Sequence, residues 1–266
     1  MNRSDERGPS DLDLSDACGT LSGVVRYEIA ALLRRFDVQV KGETELTGKL
    51  SSFLGERLLL SALTRYLRDV EGLEVRALRG RPARDDAEFP AHYKGPRYLD
   101  AWLLLDDRHL AAVECKHWTS SSTDYRSVPA DSVARAAYAK EEMWDWLVSD
   151  VFVPRPRKWT GENKVALPLE QPKDMPSQDM THVRRILAIW TPVSEDGYSC
   201  VSSFTTTTIK GGQWTDVVVE VFSASMYLRD LLAGGVSHLE AEDDELEKWL
   251  AALDGVVEVT GVSPAG

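Results

Sequence analysis

"RYLDAWLLLDDRHLAAVECKHW", residues 97–118, decides the fold. Two apolar runs, "RYLDAWLLL" (97–105) and "HLAAVECKHW" (109–118), flank a tight polar connection at Asp106, Asp107 and Arg108, the pattern of an antiparallel hairpin. Side chains alternate along a strand. In the first run Tyr98, Asp100, Trp102 and Leu104 share one face, and Leu99, Ala101, Leu103 and Leu105 the other. In the second run Leu110, Ala112, Glu114, Lys116 and Trp118 project together, opposite Ala111, Val113 and Cys115. Directly opposed residues of an antiparallel pair share a face, so a three-residue loop at 106–108 sets Asp100 opposite Glu114. A two-residue loop would separate the carboxylates; both loop lengths are common.

Working outward, "TELTGKLSSFLGERLLLSALTRYLRDVEG" reads as a strong amphipathic helix. Thr47 is the expected N-cap, Gly72 the expected stop, and Leu50, Phe53, Leu54, Leu58, Leu63, Leu67 and Val70 form the apolar stripe. Before it, "GVVRYEIAALLRRFDV" is expected to form a shorter amphipathic helix. "LEVRALRG" (73–80) reads as a strand and "RPARDDAEFPAHYKGP" as a loop. After the hairpin, "PADSVARAAYAKEEMWDWLVSD" reads as a helix opened by Pro129 and Asp131, and "VRRILAIWTPV" (183–193) as a central strand. "TDVVVEVFS" reads as a further strand, "ASMYLRDLLAGG" as a helix ended by glycine, and "DDELEKWLAAL" as an acidic terminal helix. The expected architecture is α/β, a central mixed sheet flanked by helices with an αβββαβ core. Residues 1–20 read as a disordered acidic tail, 21–239 as the main domain, and 240–266 as an acidic helix and tail.

The chain has 266 residues and a net charge of −12. That charge is uneven: residues 1–28 hold three basic and six acidic groups, and 240–266 hold one basic and eight acidic. The body between is close to neutral, which disfavours indiscriminate DNA binding but leaves room for a local basic groove. Cys18, Cys115 and Cys200 form no CxxC pair, so no zinc ribbon, iron–sulfur cluster or disulfide framework is expected. No stretch reaches the ~18 apolar residues of a membrane helix and no signal peptide is visible, so the expected compartment is the cytoplasm.

In the productive register, Asp100, Glu114 and Lys116 converge near one sheet edge. Carboxylate oxygens suit Mg²⁺, which keeps waters and bridges to a substrate phosphate. An adjacent ammonium can orient a metal-bound water or stabilise charge developing on phosphorus. The alternative is a strand that meets solvent at "ECK", since E-x-K triplets arise by chance.

A strand Asp followed by Glu-x-Lys on the next strand, within a helix, three strands, helix, strand order, resembles the PD-(D/E)xK nuclease superfamily with its restriction-endonuclease-like fold. Leu99 stands where that motif often carries proline. The resemblance implies a metal-dependent nuclease hydrolysing phosphodiester bonds in DNA, in restriction, phage defence or repair. It implies Asp100, Glu114 and Lys116 as catalytic residues, and Glu56 of the preceding helix as a further ligand beside Asp100 and Glu114. Glu56 shares a face with Leu60, Leu63 and Leu67, although a partner such as Arg76 would explain it structurally. Mg²⁺ is the implied cofactor, with Mn²⁺ as a substitute, and by analogy a homodimer is expected. For nucleic-acid contact the sequence offers Lys140 on the helix after the motif and the basic, aromatic segment holding Arg155, Arg157, Lys158 and Trp159. The rival expectation is an inactive nuclease-fold subunit that binds or assembles within a larger nucleic-acid-processing or defence complex.

Overall fold

The computed structural model describes residues 24–37, 45–78, 99–116, 128–152, 165–166, 169, 182–210 and 213–242. Two compact units divide the chain, Arg26–Ala241 and Met1–Val25 with Glu242–Gly266; the fold below belongs to the first. In chain order come β1 (Val24–Glu28), α1 (Ile29–Asp37), α2 (Glu45–Asp69), β2 (Val75–Ala77), β3 (Ala101–Leu105), β4 (His109–Lys116) and α3 (Ser132–Ala137). Two π-helical stretches follow, Tyr138–Trp144 and Leu147–Val151, then β5 (Arg184–Ile189), β6 (Val201–Lys210), β7 (Gln213–Ser223), α4 (Ala224–Ala233) and β8 (His238–Glu242). Six strands form one mixed sheet in the order β2-β3-β4-β5-β7-β6, and β1 pairs with β8 separately. The expected sequence of one helix, three strands, a helix and a strand is present as α2, β2, β3, β4, α3 and β5.

Alternation along the strands divides the core into two layers. Leu103, Leu105, Ala111, Val113, Cys115, Ile186 and Ala188 pack with Leu58, Leu59, Leu63 and Leu67 of α2 and with Tyr227 and Leu228 of α4. Trp102, Leu104, Leu110, Ala112, Leu187 and Ile189 pack with Tyr138, Met143, Trp144 and Leu147 of the helical region after β4. Helices thus cover both sheet faces, the arrangement that buries a mixed sheet. Arg184 ties the first layer together: its guanidinium donates to Glu71, beyond α2, at 2.7 and 3.1 Å and to Glu220 of β7 at 2.8 and 2.5 Å. These hydrogen bonds hold its proton more tightly than usual.

Several elements differ from their sequence patterns. Residues 24–28 form a strand where a helix was expected, because β-branched Val24 and Val25 favour extended backbone and β8 supplies a partner. α2 begins at Glu45, ahead of Thr47, and ends at Asp69, so Val70 stands 60% exposed beyond the apolar stripe. Gly72 does stop the helix region, with φ +71. The helix opened by Asp131 is capped as expected, its carboxylate accepting from Ala134 N at 2.8 Å. It then winds as π-helix, a wider turn, with Tyr138, Met143, Trp144 and Leu147 packed in the second core layer. β6 lacks any strong alternation and is held instead by the β-branched Thr205–Thr208 run and its long ladder with β7. The acidic terminal segments up to residue 23 and from residue 243, residues 79–98 and the basic segment around Trp159 lie outside the described residues.

Candidate active site

The β3–β4 turn sets the geometry of the site. Asp106 and Asp107 take left-handed conformations, φ 49 and 55, and Arg108 N donates to Leu105 O at 3.1 Å. Aspartate tolerates this region better than most residues. Asp106 also fixes β2: its N–H donates to Glu74 O, and its Oδ1 accepts from Glu74 N, each at 2.9 Å. The hairpin pairs Leu105 with His109 through Ala101 with Val113, so three residues separate the strands. The paired register ends at Ala101 with Val113, one residue short of Asp100 and Glu114.

Asp100 lies just outside β3, where the chain bends. Its Oδ2 accepts from Cys115 N at 2.7 Å, replacing the acceptor that a longer β3 would have supplied. The bend also ends the alternation, which is why Leu99 joins the second core layer with Trp102 rather than the layer of Leu103. Glu114 follows Leu110 and Ala112 on the second-layer face and is fully buried. Lys116 Nζ donates to Glu114 Oε1 at 2.5 Å, with the Lys116 side chain 19% exposed. A buried carboxylate is tolerable only with such compensation.

Cys115 points into the first layer. Burial, and then the negative charges of Asp100, Glu114 and Glu56, push its thiol well above the usual value, opposed by Lys116. Asp100, Glu114, Glu56 and Lys116 thus all bear electrostatically on this one thiol. They do not approach from one side: Glu56 stands half-buried on α2, over the Cys115 face, whereas Glu114 belongs to the opposite face. Among the described residues no group of three or more His, Cys, Asp or Glu side chains is gathered as a metal cage.

The position in the sheet is also informative. β4, β5 and β7 run parallel and end in register, Lys116 beside Ile189 and Ile189 beside Ser223. Open α/β sheets bind ligands beyond the carboxyl ends of such strands. Buried polar residues collect at this edge: Glu114, Thr191, Ser194, Ser223 and Ser225. Ser223 Oγ donates to Thr191 O at 2.9 Å and Ser225 N to Trp190 O at 3.1 Å, fastening the ends of β5 and β7 together. Sequence reasoning passed over these serines and the threonine; the small polar residues that follow the apolar runs in "IWTPVS" and "VFSAS" were the available signal.

Lys140 is exposed on the first π-helical stretch, whose inner face is taken by Ala139, Met143 and Trp144, so it does not project from that inner face. Arg155, Arg157, Lys158 and Trp159 lie outside the described residues. No described helix is long and apolar enough to cross a membrane. Comparison with known proteins finds no matching family model, no matching curated protein and no matching solved structure.

Proposed function

We propose that the protein is a metal-dependent phosphodiesterase of the PD-(D/E)xK kind, with a restriction-endonuclease-like fold, acting on DNA. The observation that supports this reading is the end of the β3–β4 hairpin, where the Asp100 carboxylate accepts from Cys115 N and the flanking Lys116 and Glu114 side chains pair with each other. The donor set suits Mg²⁺ or Mn²⁺: Mg²⁺ takes one or two protein carboxylates and retains waters, and Asp100 and Glu114 offer hard oxygen atoms at one edge. Those two residues would hold it, with Glu56 approaching from the α2 side. When bound, such an ion polarises a phosphoryl oxygen and acidifies a coordinated water.

The chain's own residues supply orientation. Cys115 N–H fixes the Asp100 carboxylate, and the buried Glu114 carboxylate fixes the Lys116 ammonium. Lys116, held at the strand end with part of its side chain in solvent, can donate to an attacking water or to a phosphate oxygen as charge develops there. The test is nicking of plasmid DNA by the full-length protein with Mg²⁺. Lys116→Met, which keeps the aliphatic stem, is expected to lose nicking while retaining its far-ultraviolet circular dichroism; equal nicking by this variant removes the mechanism.

The 2.5 Å Glu114–Lys116 pair also supports a second reading, because the two charges compensate each other without a metal. On that reading the protein is a nuclease-fold binding or assembly subunit. Calorimetric titration with Mn²⁺ separates the two: heat that disappears in Asp100→Asn supports the enzyme, and no heat in the wild type supports the subunit.

A further inference from the structure

A cavity of about 170 Å³ lies between the start of α3, the loop after β5 and α4. All three segments follow the carboxyl ends of β4, β5 and β7, so the cavity is built on the same sheet edge as Glu114 and Lys116. Arg135, Arg229, Asp230, Met226 and Tyr198 are among the residues that line it. At roughly 30 Å³ per water, the space equals about five or six waters. That is room for one heterocycle, well short of the ~300 Å³ at which sites for whole cofactors begin.

The wall is preorganised. Asp196 accepts from Ser194 Oγ, Tyr198 N, Ser199 N and Ser199 Oγ, at 2.7, 2.7, 2.7 and 2.5 Å, so the loop carrying Tyr198 is locked. Gly197, at φ +85, presses that loop against Ala136 of α3. Tyr198 nevertheless stands 73% exposed. A large ring held at the surface by a fixed loop has little packing value and is suited to stacking. Arg135 NH1 donates to Pro129 O and Ala130 O, which fixes the guanidinium at the cavity wall. Partial burial pushes the Asp230 carboxyl upward, so its oxygen atoms gain from a hydrogen-bond donor.

We propose that this cavity is a subsite for one unpaired nucleotide, its phosphate held by Arg135 and Arg229, its base stacked on Tyr198, and an exocyclic amino group of the base donating to Asp230. The proposal rests on the nucleic-acid reading of the sheet edge and is independent of cleavage. Carboxylates accept from the amino group of cytosine, and thymine has none to offer.

Fluorescence anisotropy of the full-length protein in EDTA, at fixed salt, with labelled dC and dT 12-mers tests it. The wild type is expected to bind the dC strand about fivefold or more tightly than the dT strand. Tyr198→Ala is expected to weaken both roughly tenfold, and Asp230→Ala to erase the preference for dC. Equal affinity for the two strands, unchanged binding by Tyr198→Ala, or no binding of either strand overturns the subsite; the last outcome would leave the cavity to a protein side chain. Plasmid nicking read in parallel separates the proposals. Nicking without these oligonucleotide effects removes the subsite alone, and the effects without nicking remove the catalytic reading alone.

Discussion

Asp100 Oδ2 accepts a 2.7 Å hydrogen bond from the main-chain N–H of Cys115, the residue between Glu114 and Lys116. One carboxylate thus closes the β3–β4 ladder and stands next to the two groups proposed to share its chemistry. These roles separate by substitution. Asp100→Asn keeps an acceptor and is expected to stay within about 0.5 kcal/mol of the wild type in urea unfolding, whereas Asp100→Ala is expected to lose about 1 kcal/mol. Both are expected to lower Mg²⁺-dependent nicking by roughly a hundredfold or more, as removal of a transition-state contact does.

Arg184 serves two carboxylates at once, Glu71 and Glu220, and about a quarter of each side chain stays exposed. Arg184→Met removes the shared cation and leaves two acids near each other. Breaking a fully buried pair costs about 3–5 kcal/mol; solvent screening of these partly exposed groups lowers the expected loss to about 2 kcal/mol. Urea unfolding checks this, and Glu71→Gln should recover part of the loss by removing one of the stranded charges.

Gly197 and Gly72 both have positive φ, but only Gly197 is crowded: a Cβ there would lie 2.8 Å from Ala136 O, whereas at Gly72 nothing stands within 4 Å. Gly72→Ala therefore carries conformational strain alone, about 1 kcal/mol. Gly197→Ala adds a backbone clash and is expected to cost about 2–4 kcal/mol. The difference between the two melting shifts measures the packing of the β5–β6 loop on α3.

The buried Cys115 thiol and the partly buried Cys200 thiol give the fold an alkaline limit. Burial pushes Cys200 up to about 11 from 9.0, and Cys115 rises by the same cause. A thiol whose pKa is raised in the folded state contributes stability in full below its unfolded value, and that contribution is lost as pH rises through the folded value. Stability is therefore expected to decline between about pH 9 and pH 11, and Cys200→Ala should flatten the decline. In a Cys18→Ser background, Ellman's reagent at pH 8 is expected to react with neither thiol until urea unfolds the chain.

The hairpin was legible in the sequence because period-two alternation and a polar connection fix both faces, as Trp102 with Ala112 and Leu103 with Ala111 show. α2 was legible from its leucine stripe, and its end from Gly72. Register was not, since two- and three-residue turns share a composition; the pairing of Leu105 with His109 settles it. β1 and β8 were hidden because each gains its extended form from the other. β6 was hidden because its central threonines carry no apolar alternation, and its form comes from the ladder with β7. At the site, the sequence grouped Glu114 and Lys116 on one face and left Asp100 to the register, and the anchoring of Asp100 by Cys115 N–H left no trace, because a backbone donor has no letter. The opposite approach of Glu56 was equally invisible, since a helix stripe names the sheet it faces but not which side of the sheet.

Deleting a single residue at 106–108 would leave every letter of the proposed catalytic set intact and still dismantle the proposed site. The second strand would slide by one against the first, and Asp100 would come abreast of a side chain on the far face. Spelling and phase are separate inheritances in this hairpin: a relative with the same D and E-x-K but a shorter turn would keep the word and lose its meaning.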